Sequence, residues 1–128
     1  MIYLDTSVAL AYFLGEDRAP PASLWREHLV SSRLFEYELW TRIHARGLTL
    51  THADGARALL ARVSLFELSS VMLARALEPF PVPVRTLDAL HLSTLDYLHS
   101  RNLGARLATY DERLAECALA MGLALAEV

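Results

Sequence analysis

The chain has 128 residues, a formal net charge of −3 and an apolar content of 54%. That length suits one domain with a real core, and the negative charge argues against a generally basic nucleic-acid binder. The lone Cys117 permits no intrachain disulfide and fits a reducing cytoplasm, while the apolar runs fall short of the ~20 residues of a membrane span.

The elements read as follows in chain order. Ile2, Tyr3 and Leu4 form a short, wholly apolar run that ends on Asp5. Such a run matches a central parallel strand covered on both faces. Asp5 and Thr6-Ser7 then open a helix through about Leu14. Gly15 to Asp17 and Pro20-Pro21 mark a loop, and a short helix over Ala22–His28 leads to a second strand near Leu29–Ser31. Ser31 or Ser32 caps the next helix, about Arg33–Arg46, where Phe35, Leu39 and Ile43 step by four along one face. A third helix starts at Thr51 or His52 and runs to Val63, followed by a strand at Phe66–Leu68. Ser69 or Ser70 caps Val71–Leu77, and prolines at 79, 81 and 83 exclude helix across the gap that follows. Thr86 caps a long helix to about Ser100, ahead of stop signals at Asn102 and Gly104. Arg106–Thr109 reads as a fourth strand, Asp111–Met121 as a helix, and Leu123–Glu127 as a last short strand. Alternating strands and helices predict an α/β fold: a single-domain three-layer α/β/α sandwich with a mostly parallel sheet.

Four carboxylates fall where strands end or helices begin: Asp5, Glu38, Asp88 and Asp111. In open α/β sheets the ligand crevice lies beyond the carboxyl ends of the strands. Hard divalent cations take oxygen ligands, and such ions serve phosphoryl transfer by activating water and stabilising the leaving oxygen. Each residue also has a plainer reading. Asp88 and Asp111 complement helix N-termini, worth ~0.3–1 kcal/mol apiece. Glu38 could pair with Arg42 at i,i+4, and Asp5 could cap the helix it precedes. Glu36 and Glu38 lie about 200° apart on a helix, so both cannot face one site. Asp96 lies about 12 Å along the helix from Asp88, too far to share an ion.

The chain resembles the PIN-domain ribonucleases, and among them the toxins of VapBC-type toxin–antitoxin pairs. The resemblance rests on M-I-Y-L-D-T-S at Met1–Ser7, E-L-W-T-R at Glu38–Arg42, R-T-L-D-A-L-H-L at Arg85–Leu92 and T-Y-D-E-R-L at Thr109–Leu114. Each motif is short, but their order and spacing span nearly the whole chain. The resemblance implies metal ligation by Asp5, Asp88 and Asp111, and chooses Glu38 over Glu36 as the fourth acidic residue. It implies hydroxyl support from Thr6 and Thr109. It also implies Mg²⁺-dependent hydrolysis of single-stranded or loop RNA (Mn²⁺ being an alternative ion), a homodimer, and a small cognate antitoxin that covers the site.

Arg42 and Arg85 neighbour the acidic residues in sequence and suit bidentate contact with phosphate, against a plain role on a solvated face. His91, one turn from Asp88, reads as a polar contact inside helix packing rather than a metal ligand. Trp25, Tyr37 and Trp40 read as core residues or as anchors of a partner groove in the Ala22–Val63 region. Two other functions compete. A phospho-acceptor signalling domain needs an acceptor Asp after the third strand and a late Lys; Phe66–Ser70 has no Asp, and all twelve Lys+Arg are Arg. A PIN-like protein that binds a partner without catalysis, or a nuclease acting on DNA, stays open at this level.

Overall fold

The computed structural model describes residues Met1–Val128. Four parallel strands, β1 (Ile2–Leu4), β2 (Leu29–Ser32), β3 (Val63–Phe66) and β4 (Arg106–Ala108), lie in the order β3-β2-β1-β4. Six helices connect and cover them: α1 (Thr6–Phe13), α2 (Leu34–Ala45), α3 (Thr49–Leu60), α4 (Ser70–Ala76), α5 (Thr86–Ser100) and α6 (Glu112–Ala120). Alternation along β1 divides the core into two layers, because successive side chains leave a strand on opposite faces. Ile2 and Leu4 pack with Val8, Phe35, Leu39 and Ile43 beneath α1 to α3. Tyr3 points the other way and packs with Leu92, Leu95 and Leu98 of α5 and Leu114 and Cys117 of α6. The expected three-layer sandwich is therefore present, and the sheet is parallel throughout.

The strand order positions the site. From β1 the chain moves outward through β2 to β3, then returns to pair β4 with the other side of β1. That reversal splays the connections leaving β1 and β4 and opens a crevice at their carboxyl ends.

Several boundaries depart from the sequence reading. The third helix ends at Leu60, and Val63, expected as its last residue, instead begins β3 and pairs with Leu29. Strand three thus lies three residues earlier than the Phe66–Leu68 expected. The V-S-L-F run alternates well enough for a strand, and no glycine marks the helix end before it. Thr86 is the first helical residue of α5 rather than its cap; the cap position is Arg85, which makes no side-chain capping bond. Ala22–Arg26 is a 3₁₀ turn. The cap position of α2 is Arg33, which makes no side-chain capping bond, rather than Ser31 or Ser32; Ser32 ends β2, and its Oγ accepts from the Leu34 N–H at 3.0 Å from one residue before the cap. The expected last strand reduces to one parallel bridge, Leu107 with Leu125. Helix stops behave as read: Gly47 has φ +67° and Asn102 φ +58°, the left-handed region that ends helices.

Candidate active site

Asp5, Glu38, Asp88 and Asp111 line one cleft of about 430 Å³ at the carboxyl edge of the sheet, with Thr6, Ser7, Arg42 and Arg85. Four elements deliver them. β1 ends directly on Asp5, whose N–H bonds the Ala108 carbonyl of β4 at 3.0 Å. Glu38 lies in the second turn of α2, and Asp88 in the first turn of α5. Asp111 follows β4 as the cap of α6. Glu36 turns away, as the helical angle requires, and pairs with Arg33 at 3.2 Å on the surface. Asp96 pairs with Arg75 at 3.1 Å. Glu38 does not pair with Arg42; it bonds His91.

Asp5 is only 6% exposed, and its Oδ2 is fully engaged. It accepts from the Ser7 N–H, from Ser7 Oγ and from Thr109 Oγ1, the last at 2.8 Å. Those two hydroxyls also accept from the other side of the cleft. Ser7 Oγ takes the Tyr110 N–H at 3.0 Å and Thr109 Oγ1 takes the Asp111 N–H at 3.0 Å. The hydroxyl pair therefore ties the β1–α1 turn to the β4–α6 turn and leaves Asp5 Oδ1 for other work. Ser7 went unrecognised from sequence because no spacing rule links residues 7 and 110; its only signal was a place two positions after Asp5. Thr6 lies buried beside it, and its Oγ1 has no hydrogen-bond partner. Asp111 also acts as the plain helix cap, accepting from the N–H groups of Arg113 and Leu114 at 3.0 and 3.1 Å.

The three aspartates of the cleft lack ion-pair partners. Asp5, Asp88 and Asp111 enter no ion pair with any arginine. Burial raises the Asp88 pKa above the ordinary carboxylate value, and the charges of Asp111, Asp5 and Glu38 add to that rise against a lowering by His91. Burial alone would lower the His91 pKa, but the hydrogen bond and charge of Glu38, helped by Asp5 and Asp88, raise it overall. No three acidic or histidine side chains stand close enough to enclose an ion by themselves. The donor set nevertheless suits Mg²⁺, a hard ion that uses one or two carboxylates and keeps several waters. His91 has both ring nitrogens occupied, by Tyr3 and Glu38, and offers no lone pair to a metal.

Comparison with known proteins adds an independent line. The family model for the PIN domain matches residues 2–119. The chain belongs to the PIN-domain family. Among curated relatives it is 33% identical to Ribonuclease VapC35 of Mycobacterium tuberculosis, over 98% of this chain and 95% of that one. It is 35% identical to Ribonuclease VapC46 of the same organism, over 97% and 95% respectively. Near-complete coverage in both directions identifies the chain as a VapC-type PIN domain. All four carboxylates of the cleft fall inside the matched span. No helix is long and apolar enough to cross a membrane.

Proposed function

We propose that this protein is a Mg²⁺-dependent endoribonuclease that hydrolyses RNA phosphodiesters as the toxin of a type II toxin–antitoxin pair. The observation that carries this reading is the set of four carboxylates at the switch-point cleft, where none of the three aspartates is ion-paired to an arginine. The names of the relatives, both ribonucleases, support the same chemistry. Asp5, Asp88 and Asp111 would face the ion, one or two of them binding it directly and the others through its waters, with Asp5 fixed by Ser7 and Thr109. When bound, Mg²⁺ supplies positive charge that polarises the phosphate, makes water a better nucleophile and stabilises the departing oxygen. Glu38 receives a hydrogen bond from the attacking water and aims it at phosphorus. Arg42 and Arg85, both exposed at the cleft, bind phosphate oxygens and orient the scissile bond. Water oxygen bonds to phosphorus, one P–O ester bond breaks, and the leaving oxygen gains a proton.

The overall charge of −3 does not oppose RNA binding once cations occupy the cleft, because two Mg²⁺ ions would more than offset it. The proposed assembly is a homodimer held inactive by a small antitoxin that covers the cleft. The test is cleavage of matched single-stranded RNA, hairpin RNA and DNA in Mg²⁺, Mn²⁺ or EDTA. Cleavage of RNA alone, lost in EDTA, supports the reading. Cleavage of DNA alone reassigns the substrate, and no cleavage of either points to a partner-binding protein.

A further inference from the structure

The four-carboxylate cleft does not use every buried polar group beside it. Tyr3 is fully buried on β1, and His91 is 2% exposed on α5. Their rings meet edge to face, with centroids 5.8 Å apart at 82°. Tyr3 Oη lies 2.8 Å from His91 Nδ1, and His91 Nε2 bonds Glu38 Oε1. The chain of contacts therefore runs from the sheet, through α5, to the acidic residue of α2. It joins three of the four elements that carry site carboxylates: Tyr3 stands two residues before Asp5, and His91 three residues after Asp88.

Donor logic fixes the direction. An ionised carboxylate only accepts, so Nε2 carries the hydrogen and donates it to Glu38. In the neutral ring Nδ1 accepts from the Tyr3 hydroxyl, and in the protonated ring Nδ1–H donates to Tyr3 Oη; the Nε2–H bond to Glu38 is the same in both. A buried imidazole with both nitrogens engaged cannot rotate without losing two hydrogen bonds in a low-dielectric interior. Glu38 Oε1 is thereby pinned, and Oε2 is the oxygen left for the cleft.

We propose that Tyr3 and His91 form a positioning relay that holds Glu38 in one rotamer for catalysis. This rests on the nuclease reading above and adds to it two residues that touch neither substrate nor metal. It parallels the outer-shell partners of metal-site ligands, whose loss costs about 10–100-fold in activity.

The test is a double-mutant cycle on kcat for RNA cleavage, with thermal melts and histidine ring ¹⁵N spectra of each protein. His91→Leu should lower kcat about 10–100-fold with little change in KM. Tyr3→Phe should lower it less, since the Nε2–H bond to Glu38 survives. His91→Gln, which keeps an N–H near the Nε2 position, should restore much of the rate. In a Glu38→Gln background His91→Leu should cost no further rate, because the relay has nothing left to position. The spectra should show a hydrogen on Nε2 of His91 in the wild type. Losses that multiply in the double variant, or a bare Nε2, overturn the relay. If the wild type cleaves and Asp5→Asn is dead while the losses multiply, the relay alone falls. A wild type that cleaves no RNA removes the nuclease reading and the relay's catalytic role together.

Discussion

Asp5 and Asp111 each perform two tasks with one carboxylate. Both cap helices, and both face the acidic cleft. The plain reading and the functional one are thus compatible, and they separate by substitution. Asp111→Asn keeps a capping oxygen and should melt near the wild type, whereas Asp111→Ala should lose about 0.5–2 kcal/mol of stability; urea denaturation of the two variants measures the difference. Asp88 gives a second residue-level test. Its folded pKa is raised, so its stabilising contribution is complete below the ordinary value of 3.8 and is lost as pH rises through the raised folded value. Without metal, the wild type should therefore lose stability relative to Asp88→Asn as pH climbs above 3.8, and Mg²⁺ should restore it only in the wild type. Melting curves from pH 4 to 8, with and without the ion, check this. A wild type that gains on the variant with rising pH would mean that Asp88 has a cationic partner. Glu36 and Glu38 show how much one residue's place can be read in advance: helix geometry said that only one could face the cleft, and the family pattern was needed to say which. The His91 contact was foreseen in kind, as a polar contact in helix packing, but its partners were not, since positions 3, 38 and 91 share no sequence spacing.

Elements with a clean period and firm end signals were the legible ones. Along α2 the apolar stripe Phe35, Leu39 and Ile43 is fully buried, and α6 begins and ends where Asp111 and Gly122 indicate. The α3–β3 junction was not legible, because Ala61-Arg62-Val63 continues a helical pattern and only the pairing of Val63 with Leu29 makes it a strand. The anchor residues expected for a partner also divide. Trp25 packs against Tyr12 with centroids 4.5 Å apart, Trp40 sits between His44 and Arg57, and Tyr37 is 61% exposed. The larger apolar hollow lies outside the Ala22–Val63 region, a cavity of about 750 Å³ between α4, the proline segment and α5. Leu73 on α4 and Leu77 at its C-cap are 45% and 88% exposed at the rim. Apolar surface of this kind marks a contact site, and the proposed homodimer would bury it. Light scattering should give about twice the 14.3 kDa chain mass, and Leu77→Arg should return the protein to the monomer. A monomeric wild type at every concentration, or a dimer indifferent to Leu77→Arg, would remove this face from the assembly.

At the scale of the molecule, parallel strands and their order turn a sequence with scattered acids into a protein with one acidic cleft. The β3-β2-β1-β4 order brings the ends of β1 and β4 side by side, and helices α2 and α5 add one carboxylate each. The alternating elements made this architecture legible, while the convergence of the four acids depended on strand order, which periodicity does not encode. On the proposed reading, the negative charge gathered there would weaken the empty protein and favour a cation, so function and stability should move in opposite directions on substitution. The most direct test compares RNA cleavage by the wild type and Asp5→Asn in Mg²⁺ and in EDTA, beside thermal melts, with Glu36→Gln as a control outside the cleft. The account predicts cleavage by the wild type and by Glu36→Gln in Mg²⁺, none in EDTA, and none by an Asp5→Asn protein that melts at or above the wild-type temperature. Cleavage that persists in EDTA or in folded Asp5→Asn would contradict it.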